Sequence, residues 1–444
     1  MTNPHTTLRV SSNGRYLTTA DGTPFLYLAD TAWELVHRLD RAEADRYLAD
    51  RAAKGFTVIQ TVLLFELGTA DAPNAYGDPP LIDADPTRPN EPYFKHVDAV
   101  VDQAAGYGLV LGMLPTWGNK WALNDDGETG IFTPASARAY GRFLGERYRN
   151  APLIWILGGD RNAVHDEERA VIAAMAEGLR AGDGEGSNPT HLITYHPMGP
   201  GQSSDLFHEA EWLDFNMNQS SHGARDHDNG LFTARDYALQ PVKPTLDGEP
   251  RYETIPVGFY NRDASDARRF TAYDVRQAAY WSMLAGACGH TYGNNNVWQM
   301  WAPDREPRIG ACTPWEEALD HPGAFQMGIM RRLFEARSFH KLVPDPGLVL
   351  DGPRSGGAKI RAALAADGTY ALVYTPRGEP FTVQMAMLAS RRVGASWFDP
   401  RYGIATPIHT TITPGIQTFT PPTSGRGCDW VLVLEDATAE LPDL

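Results

Sequence analysis

The sequence predicts an α/β protein, a (β/α)8 barrel of the TIM type followed by a small antiparallel β-sandwich. Three observations carry this. Apolar, β-branched runs alternate with amphipathic helical stretches through roughly the first 340 residues, the pattern of a parallel sheet with helices outside. Polar and aromatic residues gather after nearly every apolar run, as at the functional face of a barrel. After Lys341 helical spacing stops, and short strand-like runs follow one another between Gly, Pro and Asp turns. The expected division is a catalytic barrel with an N-terminal hairpin over 1–340 and a sandwich over 341–444. A doubly wound open sheet is the alternative, but no Gly-rich phosphate fingerprint follows the first strand.

Taken in order, 8–10 and 16–18 flank Asn13-Gly14, a hairpin signal. Residues 25–29 read as a buried strand closed by Asp30. Ala44, Tyr47, Leu48, Arg51 and Ala52 give helical spacing over 41–54, stopped by Gly55. Strand 56–65, helix 92–108, strand 109–114, helix 134–149 with Pro134 in its first turn, strand 153–157 and helix 166–181 continue the alternation. Strands 191–195, 213–217 and 245–249, helix 271–285, segment 289–294 and helix 321–340 complete it. In the second domain 359–364, 370–374, 381–385, 396–399 and 430–434 read as strands, with Asp367-Gly368 a hairpin turn.

Thirty-nine Lys and Arg against 55 Asp and Glu give a net charge of −16, which argues against a nucleic-acid or anionic-membrane partner. Cys288, Cys312 and Cys428 show neither CxxC spacing nor an even set, so no disulfide framework or zinc site is expected. No 18-residue apolar run occurs, and the N-terminus has no basic or apolar leader segment, so cytoplasmic placement is the expectation. His196, His222, Asp226, His227 and Asp228 make a metal site conceivable on paper. They lack the HExxH helix context, and no metal or cofactor is expected. No Gly-x-Ser-x-Gly elbow supports an esterase.

The chemistry centres on Trp155-Ile156-Leu157-Gly158-Gly159-Asp160-Arg161-Asn162, where a buried strand breaks into charged groups. Asp160 ends the fourth barrel strand and Glu249 the seventh, so both reach one bowl. Glycoside hydrolysis needs such a pair, one carboxyl protonating the leaving oxygen and the other attacking the anomeric carbon. Period-two alternation puts Asp247 on the face of Glu249, as a structural or pKa-tuning neighbour, with Glu253 a weaker competitor. Gly158 and Gly159 are expected to open the rim to a sugar. The other candidates for binding sugar are Asp30, Trp33, Trp117, Asn162, His196, Gln219, His222, Tyr252 and Tyr292, with Glu66 and Trp298 also on the rim. Arg161 could hold Asp160 or bind substrate.

Residues 25–35 (FLYLADTAWEL), the turn 158–162, the stretch 219–222 and the run 246–253 (LDGEPRYE), in that order, resemble the apiosidase-like glycoside hydrolases of family 140. The resemblance spans about 8–340, and the remainder resembles the collagen-binding-type β-sandwich that follows this barrel. It implies a retaining, exo-acting enzyme that releases apiose from plant glycans or glycosides. It also implies Asp160 as acid/base and Glu249 as nucleophile. Arabinofuranosides or galactofuranosides are alternative substrates, and a glycan-binding protein without catalysis is the non-enzymatic alternative. The expected partner is a carbohydrate. The sequence sets no oligomeric state.

Overall fold

Eight parallel strands ring one core in the computed structural model, which describes residues 7–123, 130–184, 191–259, 268–390, 392–408, 415–439 and 441–442. They are β1 (Tyr27–Thr31), β2 (Val58–Val62), β3 (Val110–Leu114), β4 (Leu153–Gly158), β5 (Ile193–His196), β6 (Asn216–Gln219), β7 (Thr245–Asp247) and β8 (Gly289–Tyr292). Ladders join β1 through β5 in sequence, β6 to β7, β7 to β8, and β8 back to β1. The barrel is nearly closed. At the β5–β6 seam Asp214 N donates to Ile193 O at 2.9 Å and Thr194 Oγ1 to Phe215 O at 2.7 Å. Gly201–Gln202 runs antiparallel to β6 beside this seam.

Strand alternation decides what each side chain does. Tyr27, Ala29, Val58, Val62, Val110, Leu114, Ile154, Ile156, Phe215, Met217 and Leu246 fill the barrel interior. Their sequence neighbours Ile59, Leu111, Met113, Trp155, Leu157, Ile193 and Tyr195 face the helices. The interior is therefore a packed plug, and access is left only at the C-terminal strand ends.

The helices are α1 (Arg41–Ala53), α2 (Glu91–Gly106), α3 (Pro134–Tyr148), α4 (Asp166–Asp183), α5 (Gly230–Tyr237), α6 (Ala272–Met283) and α7 (Pro322–Ala336), with one turn at Ser204–Phe207 after β5. The start of α1 is capped as its sequence dictates. Asp40 accepts from Ala42 N (2.8 Å) and Glu43 N (2.9 Å) while Glu43 returns a carboxylate to Asp40 N (2.9 Å). Such caps contribute about 1 kcal/mol each. The helices α3 and α4 meet on facing glycines, Gly141 and Gly145 against Gly178 and Gly182. A Cβ on any of the four would lie 2.3–2.6 Å from a backbone oxygen of the other helix. This holds tightly the flank of β3 and β4, whose loops carry Trp117 and Asp160.

The C-terminal part is two antiparallel sheets. One orders Leu342–Pro344, Arg361–Ala365, Tyr370–Thr375, Trp430–Asp436, Val393–Asp399 and Ile404–Pro407. The other orders Val349–Asp351, Phe381–Gln384 and Ile416–Phe419. Leu348, Val373, Phe381, Val383, Trp397, Phe419 and Leu432 pack between them. The outer face of the larger sheet shares a core with α6 and α7 through Leu372, Tyr374, Phe398 and Val431. Tyr280 stacks on Tyr374 at 4.9 Å between centroids, and Arg276 holds the buried Asp429 through two bonds of 2.8 and 2.5 Å.

Several sequence expectations shift. The stretch 25–29 is two pieces, Pro24–Phe25 in the N-terminal sheet and β1 in the barrel. The sixth strand is Asn216–Gln219 rather than 213–217, because it ends on the polar residues Asn218 and Gln219, which carry no apolar signal. The helix α5 and four short strands, at 342–344, 349–351, 404–407 and 416–419, have no clear sequence signal. Among the described residues no helix is long and apolar enough to cross a membrane.

Candidate active site

The β4 strand ends in three successive residues with left-handed backbone, Gly158 (φ 91°), Gly159 (φ 93°) and Asp160 (φ 56°). Packing requires the glycines. A Cβ on Gly158 would lie 2.3 Å from His196 O, and one on Gly159 would lie 2.9 Å from Gly118 N and Trp117 Cα. Trp121 Nε1 donates to Gly158 O (2.7 Å), and Gly118 N donates to Gly159 O (2.9 Å). The expectation that these glycines admit a sugar to the backbone is corrected. They let the turn pass between the loops of β3 and β5. Left-handed backbone at a non-glycine such as Asp160 costs on the order of 1 kcal/mol or more and marks a position set by its surroundings.

Glu249 is set from the other side. Tyr27 Oη donates to Gln60 Oε1 (3.0 Å), and Gln60 Nε2 donates to Gly248 O (3.0 Å), a chain across the barrel interior. Gly248 N donates to Asn218 O (2.7 Å) and Ser221 N to Glu249 O (3.1 Å). A side chain at Gly248 would strike Met217, whose sulfur lies 2.4 Å from the Cβ position. The strand ends at Asp247, and Glu249 turns into the cavity. Asp247 does not share its face. It points outward and is bonded by Ser220 Oγ (2.6 Å) and Asn229 Nδ2 (3.0 Å).

Two imidazoles converge on Glu249. His222 Nε2 is 3.2 Å from Oε1, and His196 Nε2 is 3.0 Å from Oε2 in an approach too bent for a hydrogen bond. The other ring nitrogens are occupied by backbone donors. Asp160 N reaches His196 Nδ1 at 3.2 Å and Tyr252 N reaches His222 Nδ1 at 3.4 Å. With Nδ1 facing a backbone N–H, Nε2 is the nitrogen that each ring turns toward the carboxylate. Burial alone would raise the Glu249 carboxyl. The two histidines outweigh it and hold it at about 2. Asp160 moves the other way. Burial and then the Glu249 charge raise it, against His196, Arg161 and a hydrogen bond from Gln219. Arg161 donates to Asp160 O (2.7 Å) and stays 3.5 Å from its carboxylate.

Both acids line one cavity of about 310 Å³, together with Trp33, Glu66, Trp117, Gln219, His222, Tyr252 and Trp298. The rings of Trp33 and Trp117 lie 5.2 Å apart and both pack on His196.

Residues 11–341 match the family described as "Apiosidase-like, catalytic domain". The chain belongs to the apiosidase-like family. The part following this apiosidase-like barrel, residues 343–435, matches "Putative collagen-binding domain of a collagenase". A solved structure called "Glycoside hydrolase" is 32% identical, with 98% of each chain covered and a TM-score of 0.88. A glycoside hydrolase family 5 structure from Bacteroides vulgatus is 30% identical, covering 98% of this chain and 94% of that one, also at 0.88. A family 5 mannosidase from Rhizomucor miehei, 13% identical over 77% of this chain and all of that one with a TM-score of 0.51, shares the fold alone. No curated protein matches. Like its relatives, the chain is a glycoside hydrolase.

Within this apiosidase-like site the sequence candidates separate. Trp33, Trp117, Gln219, His222 and Tyr252 line the cavity with Asp160 and Glu249. His196 is fully buried behind Glu249 and reaches it rather than the cavity. Asp30 and Tyr292 are corrections with one cause. They are register partners on β1 and β8 with outward parity. Asp30 is sealed against α1 by Arg51 Nε (2.6 Å) and Tyr47 Oη (2.7 Å), and Tyr292 Oη donates to Glu253 Oε2 (2.6 Å). Glu253, bonded also by Gly323 N, is thereby removed as a competitor of Glu249. Asn162 is likewise corrected. Its Oδ1 accepts from Met198 N (3.0 Å) and ties two rim loops together. Ser221, within the stretch 219–222, also lines the cavity, and Ile255, Phe259 and Ile309 join from loops without periodic pattern, so nothing in the sequence marked those three.

Proposed function

We propose that the chain is a retaining exo-glycosidase that releases apiose from plant glycans or glycosides. In this reading Asp160 is the acid/base and Glu249 the nucleophile. The observation that carries it is the opposite displacement of two carboxyls in one small cavity, Glu249 held at about 2 and Asp160 raised. Glu249 then attacks the anomeric carbon while Asp160 protonates the departing oxygen. Once Glu249 is esterified its charge is gone, so one cause of the raised Asp160 value disappears. Asp160, having given its proton to the leaving oxygen, then stays ionised and can take a proton from the water that releases the sugar.

A cavity of about 310 Å³ sits at the small end for ligand sites, which supports removal of a terminal sugar over grip on a long chain. Trp33, Trp117 and Tyr252 offer apolar faces to the sugar ring. Gln219 and His222 offer polar groups, and His196 acts through Glu249. The family supports apiose as the sugar. The test is a panel of nitrophenyl glycosides with apiofuranoside, arabinofuranoside, galactofuranoside and pyranoside members. The apiofuranoside is expected to be cleaved fastest. Faster cleavage of another furanoside would replace the substrate, and inertness toward the whole panel would contradict the reading.

A further inference from the structure

A third carboxyl in the cavity has no part in the pair. Glu66 follows β2 and lines the same space as Asp160, Glu249, Trp33 and Trp117. Its Oε2 is buried and meets no hydrogen-bond partner among the described residues. A buried polar atom left open at a cavity wall is a group waiting for a ligand. The segment around it is not loose. Lys120 Nζ donates to Phe65 O, to Gly68 O (2.8 Å) and to Asn119 Oδ1 (2.9 Å), and Leu67 N donates to Glu34 Oε1 (3.3 Å).

We propose that Glu66 binds, through its open Oε2, a hydroxyl, or an adjacent pair of hydroxyls, of the sugar seated between Asp160 and Glu249. The proposal rests on the glycosidase reading for the nature of its ligand. The groups acting most strongly on Glu66 are the acids Glu34, Glu249 and Asp160 and the cation Lys120, and Arg38 and Tyr252 act on it as well. Lys120 has its three ammonium protons committed to Phe65, Gly68 and Asn119, and so offers Glu66 charge but no hydrogen bond. Four carboxyls cannot all ionise in one buried region. Glu249 has two imidazoles against its oxygens, one of them hydrogen-bonded, and keeps its charge. Glu66 has no comparable donor, so it takes a proton. Burial, then Glu34, Glu249 and Asp160, push its carboxyl well above the ordinary 4.5, outweighing Lys120.

Protonation changes what Glu66 can recognise. A carboxylate only accepts, whereas the neutral acid gives one donor and one acceptor in a plane, a match for two neighbouring hydroxyls. Affinity for sugar then falls as pH rises and Glu66 ionises beside Glu34, Asp160 and Glu249.

The test compares the full chain with E66Q and E66A, each verified by an unchanged melting temperature. The binding probe is free apiose, read by tryptophan fluorescence from the cavity across pH 5–9. E66A should weaken binding about 10- to 100-fold, the loss of one or two buried hydrogen bonds. E66Q, which keeps a donor and an acceptor, should weaken it clearly less and should lose the alkaline decline. In parallel, infrared difference spectra at pH 6 should show a protonated-carboxyl C=O band in the wild type that vanishes in E66Q. That band needs no ligand. Its absence overturns the proposal, as does E66A binding like the wild type, or E66Q falling as far as E66A. Should the wild type bind sugar with this pH dependence yet hydrolyse no glycoside, the glycosidase reading fails while the role of Glu66 stands.

Discussion

Replacing His222 by Phe removes one of the two N–H groups facing Glu249 while retaining a ring beside Tyr252, 4.6 Å away between centroids. In the wild type Glu249 sits at about 2 against an ordinary 4.5. At 1.36 kcal/mol per pH unit this is roughly 3 kcal/mol in favour of the carboxylate, net of burial that opposes it. His222 supplies the better-aligned of the two contacts, so its loss surrenders about half or more of that energy. The Glu249 carboxyl should rise by about 1–2 pH units. A nucleophile must be ionised to attack, so activity is lost as pH falls through its pKa. The acid limb of kcat/KM, below pH 3 in the wild type, should move up by that amount in H222F. It should move less in H222Q, whose amide can replace Nε2–H. Initial rates on the best nitrophenyl glycoside between pH 3 and 8, with stability controls at each pH, provide the assay. An acid limb in H222F coincident with that of the wild type would refute the reasoning, since Glu249 would then owe nothing to the imidazole.

Other consequences can be tested separately. D160A should lose activity by at least about 100-fold on phenyl glycosides but far less on dinitrophenyl glycosides, whose leaving oxygen needs no proton; equal losses on both would remove Asp160 as the acid. D30N should destabilise by about 3 kcal/mol in urea denaturation because it removes the buried charge facing Arg51 Nε and leaves Asp50 as the acid beside that guanidinium, with kcat/KM of the folded protein retained; a specific loss of activity would return Asp30 to the site. Burial raises Glu253 to about 7, so its neutral form favours the folded state below pH 4.5 and this stability is lost as pH rises through 7. E253Q should flatten the decline of the urea midpoint between pH 5 and 7.5, and a decline equal to that of the wild type would contradict this. G159A should lower the melting temperature and disturb the cavity tryptophan emission, because its Cβ meets Trp117 Cα at 2.9 Å.

The barrel was legible because its signal is periodic: β1 to β4 and the helices between them differ from expectation by a few residues at each end. The carboxyl pair was legible because Asp160 and Glu249 each follow a strand that can be counted. Parity was less so. Asp30 and Tyr292 look like strand-end polar groups, but one residue of register separates the cavity from the helix layer, and only the β1–β8 ladder reveals which side they take. Asp247 fails for a related reason, since the bend at Gly248 ends the alternation before Glu249. The histidines were legible as polar rim residues but not as donors to one carboxylate. That role depends on Asp160 N and Tyr252 N occupying their Nδ1 atoms, which are backbone facts. The short strands of the second sheet escaped because segments such as Ile404–Pro407 lie at an edge, half exposed, with little alternation to read.

The central claim is that Glu249 attacks the sugar and Asp160 serves the leaving group. Incubation with a 2-fluoro glycoside bearing a dinitrophenyl leaving group, followed by peptide mass spectrometry, tests it most directly. The account predicts a covalent sugar on the peptide that contains residues 245–253, attached at Glu249. A label on Glu66, Asp160 or Glu253, or turnover that yields sugar of inverted configuration with no adduct, would contradict it.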